Sequence, residues 1–124
     1  MLFLVLHAYA SLIDFDFCLA RGDFAVLHDR VQNHPVRRGT SSRESVQEIC
    51  SATDVACICY PKQVLCLQRS AVTVCLLRRR GYNAQMVIGA QQMPFRSHAW
   101  VEVDGRVVND YPYIQEMYAV LDRC

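Results

Sequence analysis

Seven cysteines and four histidines hold most of the chemistry open to this sequence. The thiols are Cys18, Cys50, Cys57, Cys59, Cys66, Cys75 and Cys124. Their odd number leaves at least one unpaired in any disulfide scheme. They are poorly spaced as metal ligands. Cys57-x-Cys59 with Cys50 or Cys66 lacks the second separated pair that structural zinc sites use, and the histidines do not supply it. No metal and no cofactor is expected. Cys18, Cys50, Cys57, Cys59 and Cys75 read as small buried hydrophobes. Cys66 differs by position, because it follows Pro61-Lys62-Gln63-Val64-Leu65 and opens an apolar helical run. Unpaired N–H groups and the positive dipole end at a helix N-terminus favour a thiolate, and the same groups hold a developing oxyanion. Position alone leaves Cys66 equally a core residue facing a sheet.

A cysteine nucleophile needs a histidine base, and the histidine needs an acceptor to orient it. His7 and His28 fall on N-terminal helical segments and His34 precedes a proline, so all three read as structural or solvent-facing. His98 begins the strand His98-Ala99-Trp100-Val101-Glu102-Val103. Alternation puts His98, Trp100 and Glu102 on one face and Ala99, Val101 and Val103 on the other. Asp104-Gly105 then signals a turn. A two-residue loop would set Ala99 opposite Asp110, leaving Asn109 as the fallback acceptor. A three-residue loop with a Gly105 bulge pairs Glu102 with Arg106 and sets His98 opposite Asp110. The second register matches opposite charges and stacks apolar on apolar, so it is the expected one.

These residues need elements to position them. Residues 1–32 read as helical: Leu2, Leu6, Tyr9 and Ile13 recur at helical spacing, as do Phe24, Leu27 and Val31. Arg21-Gly22-Asp23 divides them into two helices, and His34-Pro35 stops the second. Residues 35–42 form a loop. Ser41 or Ser42 caps the next helix, with Glu44 in its first turn, and that helix runs to about Tyr60. Cys66–Arg80 is a buried helix with its stripe at Leu67, Ala71, Val74 and Cys75, flanked by Val72 and Leu76, and Gly81 stops it. The period then changes to two, with strands over 84–90, 97–103 and 106–110. Residues 111–124 begin with a proline turn and finish as a short helix. Helices followed by an antiparallel sheet make an α+β fold.

The 124 residues are enough for one domain, with 1–60 as its helical N-terminal part and 61–124 as the core around Cys66. Thirteen basic against twelve acidic residues give a charge of +1, which argues against nucleic-acid and polybasic membrane binding. The apolar run over residues 1–13 is short of the roughly 20 residues a membrane helix needs. It also lacks the leading positive charge of an export signal. Free thiols in a reducing cytoplasm, and no membrane insertion, are expected.

Cys66-Leu67-x-Arg69-Ser70, Leu76-Leu77-Arg78-Arg79-Arg80-Gly81-Tyr82-x-Ala84, Val87-Ile88-Gly89 and His98-Ala99-Trp100-Val101-Glu102 together resemble the leader peptidases of lasso-peptide biosynthesis. These are transglutaminase-like, papain-like cysteine proteases. The likeness runs over roughly 61–110. It implies a transglutaminase-like core and a hydrolase with a Cys66–His98–Asp110 triad. The Cys66 N–H would serve the oxyanion, with Gln63 or Gln68 as the candidate side-chain donor. It also implies a ribosomally made precursor peptide as substrate and a lasso cyclase acting next. About 60 residues precede Cys66 and read as helical, so the chain resembles the stand-alone protease half that works with a separate leader-recognition protein. The alternatives are an acyl transferase of transglutaminase type and a non-catalytic peptide-binding module. The presence of Cys66, His98 and Asp110 speaks against the latter, since a scaffold needs none of them.

Overall fold

A computed structural model describes residues 2–21, 24–37 and 44–124. Four helices come first: α1 (Leu2–Arg21), α2 (Phe24–Gln32), α3 (Val46–Cys59) and α4 (Cys66–Arg79). Strands β1 (Ala84–Gln92), β2 (Phe95–Val103) and β3 (Arg106–Val107) follow, then a helical turn α5 (Ile114–Met117) and β4 (Ala119–Arg123). The strands form one antiparallel sheet in the order β3-β2-β1-β4. The expected α+β order is the observed one.

The core lies between the helices and one face of the sheet. Val72, Val74, Leu76 and Leu77 of α4 pack with Ala84, Met86 and Val101, and with Leu4, Ala8, Leu12 and Phe15 of α1. The helix stop at Gly81 has a clear cause. Gly81 takes φ +88, its N–H bonds the Arg78 carbonyl, and the Tyr82 N–H bonds the Leu77 carbonyl. This is the Schellman pattern, which favours a residue without a Cβ. Arg78 does more than face the helix dipole. It is buried and bonds the carbonyls of Val31, His34 and Ala84, tying α2 and β1 to the end of α4.

Five expectations change. On α1, the anticipated stripe points mostly outward: Leu2 is 73% exposed, Leu6 61% and Ile13 40%. The buried residues are Leu4, Ala8, Leu12 and Phe15. The helix is apolar on both faces, so periodicity finds the helix without choosing its inner side. At 20 residues α1 also has the length and composition to cross a membrane, which the 13-residue run did not. The α3 cap is Ser45, whose Oγ accepts from the Glu48 N–H at 3.1 Å, and Glu44 precedes the helix. Ser45-x-x-Glu48 is the spacing of a capping box. Gly22, Asp23, Ser41 and Ser42, with residues 38–42 of the loop expected over 35–42, lie outside the described residues.

The sheet supplies the other two changes. β1 and β2 extend to Gln92 and Phe95, where exposed residues pair without an apolar alternation to announce them. The C-terminal segment, expected to finish as a helix, finishes as β4, all five residues of which are exposed. An edge strand with no buried face has no period-two signal.

Candidate active site

Cys66 is the first helical residue of α4 and is half-buried. Leu65, before it, has no side-chain oxygen to cap the helix. Gln68 closes the turn instead. Its Oε1 accepts from the Leu65 N–H at 3.4 Å, and its Nε2 donates to Asp16 Oδ1 at 3.2 Å. Asp16 also accepts from Lys62 Nζ at 2.7 Å and Tyr60 O–H at 3.2 Å. These bonds, Lys62's first among them, hold the Asp16 carboxyl below its ordinary range although desolvation opposes them. A carboxylate on α1 thus anchors the turn that presents Cys66. Gln68, a candidate oxyanion donor by sequence, is engaged as this cap. Gln63 is exposed on the segment before α4.

His98, expected to begin its strand, is the fourth of the nine residues of β2, and its Nε2 meets Asp110 Oδ2 at 2.5 Å. Their side chains are 24% and 17% exposed. The expected partners are together, but not through the expected register. The strands pair Val103 with Arg106 and Glu102 with Val107. Asp104 (φ 50) and Gly105 (φ 83) make a two-residue turn with both central residues left-handed, as a type I′ turn requires. The Glu102–Arg106 charge match that favoured the bulged register is not made, because Glu102 is buried and bonded to Trp100 and Arg123.

Continued as a ladder, this register would turn Asp110 away from His98. The ladder does not continue. The Val108 N–H reaches the Val101 carbonyl at 3.0 Å, but the Val101 N–H is taken by Asn109 Oδ1 at 2.7 Å. A side chain replaces the next backbone rung, the strand peels off, and Asp110 swings to the histidine. Asn109 is therefore not the fallback acceptor for His98. Its Nδ2 donates to Ser70 Oγ at 3.3 Å, and its carbonyl accepts from Arg69 Nη2 at 3.0 Å.

This departure opens the edge of β2, and α4 closes it. Ser70 Oγ donates to the Ala99 carbonyl at 3.1 Å, one residue after His98. Cys66 stands one turn before Ser70 on the same side of the helix. Helix, strand and Asp110 loop are thus bonded to one another through Ser70, Arg69 and Asn109. Cys66 and His98 share no direct hydrogen bond here, and thiol–imidazole contacts in substrate-free sites are often loose. Ser70 and Arg69 gain their roles only through tertiary contacts. The sequence places them in the Cys66 helix but cannot show what they touch.

Aromatic rings wall the histidine. Tyr118 lies 5.4 Å from it and Trp100 6.1 Å, each with planes 28° apart. Gly89 sits opposite His98 in the ladder. A Cβ there would come within 2.8 Å of the Trp100 ring and the Tyr118 Cβ, so the close packing needs glycine. Tyr118 has no sequence signal, because it precedes the unannounced β4. A second pair of the same chemistry, His28 with Asp122 at 2.5 Å, joins α2 to β4 rather than to a helix that begins with cysteine.

The buried thiols are chemically quieter. Burial pushes Cys50, Cys75 and Cys124 up to about 11 and raises Cys57 as well. All seven cysteines are free.

Comparison with known proteins gives two matches. The model of the transglutaminase-like superfamily matches residues 9–123. The microcin J25-processing protein McjB of Escherichia coli is 41% identical over 56 residues, which is 45% of this chain and 27% of that protein. The match therefore spans about a quarter of that relative's length. No solved structure matches.

Proposed function

Because the chain belongs to the transglutaminase-like superfamily, we propose that it is a cysteine endopeptidase that cuts the leader from a ribosomally made lasso-peptide precursor. The observation that carries this reading is the His98–Asp110 pair, at a strand edge bonded to the helix that begins with Cys66. The similarity to a microcin J25-processing protein supports the substrate class.

In this mechanism the Cys66 sulfur attacks the carbonyl of the leader's last residue. Asp110 occupies Nε2 of His98, so Nδ1 is the nitrogen that takes the thiol proton and later returns it to the leaving amine. Asp110 fixes the imidazole tautomer and stabilises its cation. The free N–H groups at the start of α4, that of Cys66 included, receive the oxyanion. Water then releases the leader from the thioester. A separate leader-recognition protein delivers the precursor, and a lasso cyclase takes the freed core. Seven unpaired thiols suit a reducing cytoplasm.

The test is cleavage of a precursor by the full chain with its recognition partner. Cys66→Ala should abolish it, and Cys75→Ala should leave it largely intact. Normal cleavage by Cys66→Ala removes the mechanism. The family description also favours a second reading, acyl transfer to an amine in place of water. Mass spectrometry of a mixed Gln-peptide and Lys-peptide incubation would find a crosslink in that case and none in the first.

A further inference from the structure

A buried carboxylate stands on the same sheet face as His98. Glu102 is 2% exposed, and its position along β2 puts it in line with Trp100 and His98. Its Oε2 accepts from the indole Nε1–H of Trp100 at 2.8 Å, and its Oε1 accepts from Arg123 Nη1 at 2.7 Å. Burial pushes the Glu102 carboxyl up, but hydrogen bonds from Gln115, Arg123 and Trp100 outweigh it and leave the group below its ordinary range. Burying the carboxylate of an ion pair whose arginine stays 43% exposed is a poor way to gain stability, since well-packed apolar side chains serve as well or better. Its distinct contribution is geometric: an indole N–H bonded to a fixed oxygen holds one ring plane.

That plane matters because of what lies on it. Trp100 is fully buried, and both the His98 imidazole and the Tyr118 ring pack against it. Gly89 removes the one Cβ that would push the stack apart. We propose that Glu102 is a positioning residue, which holds Trp100 in the plane that keeps the His98 imidazole aligned between Asp110 and the thiol. The proposal rests on the cysteine-protease reading for its catalytic consequence, while the alignment itself is measurable without any activity.

The test compares full-length wild type, Glu102→Gln, Trp100→Phe and the double variant. Glu102→Gln keeps the shape and loses the charge; Trp100→Phe keeps a ring and loses the N–H. Each is assayed for kcat and KM of precursor cleavage, and the His98 ring nitrogens are followed by ¹⁵N NMR across pH. Each single variant should lower kcat about tenfold at unchanged KM, the signature of misalignment rather than lost binding. Each should shift the His98 tautomer signals. The double variant should be no worse than the worse single, because Glu102→Gln weakens, by losing the charge, the same bond that Trp100→Phe removes. Variants that melt earlier while kcat and the His98 signals stay at wild type would overturn the proposal and leave Glu102 a structural residue. Should wild type not cleave at all, the protease reading fails. The ring signals still decide: moved by Glu102→Gln they support the alignment, unmoved they refute it. If Glu102→Gln does not fold, Trp100→Phe alone carries the comparison.

Discussion

Asn109 does with one side chain what a hairpin would do with a backbone rung, and the position of Asp110 depends on it. Three hydrogen bonds tie this residue to Val101, Ser70 and Arg69. Reading the sequence as an ideal hairpin found the right partner for His98 through the wrong register. It assumed that pairing persists to residue 110, and nothing in the residue types says that an asparagine amide will displace a peptide. The two neighbours therefore separate two roles. Asp110→Asn should keep the fold and lose up to about 10⁴ in cleavage rate, the scale seen when such an orienting carboxylate is removed. Asn109→Ala should impair both, since it leaves the buried Val101 N–H without a partner at a cost of about 1–3 kcal/mol and frees the Asp110 loop. Cleavage assays beside urea unfolding read both effects. An Asn109→Ala variant with wild-type stability and activity would show the clasp to be idle.

Elements that bury most of their residues were legible, whereas the inner side of a helix apolar all round, and a strand that buries nothing, were not. The α4 stripe at Ala71, Val74 and Cys75 is buried as expected, in a helix buried nearly all round from Ser70 to Arg78, while β2 buries both its faces from Ala99 to Glu102 instead of alternating. Strand β4 escaped because it buries nothing. Helix α1 escaped in the opposite sense, because its outer face is as apolar as its inner one. Two phenylalanines on this helix make the contrast measurable. Phe15 is 4% exposed, and the Arg30 guanidinium lies 5.0 Å from its ring centre. Phe17 is 64% exposed. Phe15→Ala should cost about 3–5 kcal/mol of unfolding free energy, the usual range for a buried aromatic. Phe17→Ala should stay within about 0.5 kcal/mol. Equal costs in urea titrations would mean that the outer face is covered in solution.

The molecule as a whole gathers positive charge where α4 ends, and two histidines stand in that field. Burial lowers His7, and Arg79 and Arg80 lower it further; burial likewise lowers His34, with Arg79 the next contributor. Both bind a proton less readily folded than unfolded. As pH falls through about 6.5, the ordinary histidine value, the unfolded chain takes up protons that the folded chain refuses. The stability from this source is thus complete above that pH and drains away below it. Melting temperature should fall between pH 7.5 and 5.5, and a His7→Gln/His34→Gln variant should fall less. High salt should flatten the wild-type slope in part, because it screens the arginines and not the burial. A double variant with the wild-type slope would place the effect elsewhere. At this scale the order of elements and the α+β class were readable from the periodicities, whereas the field is not, because Arg79 and His7 meet only once the helices pack.

The unequal burial of the seven thiols has a practical side for anyone who would count active sites with a thiol reagent. Cys50, Cys75 and Cys124 are out of reach and nearly all protonated at neutral pH, so a brief native alkylation should leave them unmodified. Cys59 is open to solvent at the end of α3 and should react in competition with Cys66. One adduct per chain is therefore not a titre of the nucleophile, and peptide mapping must say which sulfur carries the label. A Cys59→Ser protein, labelled to one equivalent with Cys66 as the modified residue, would turn that adduct into a calibrated site count.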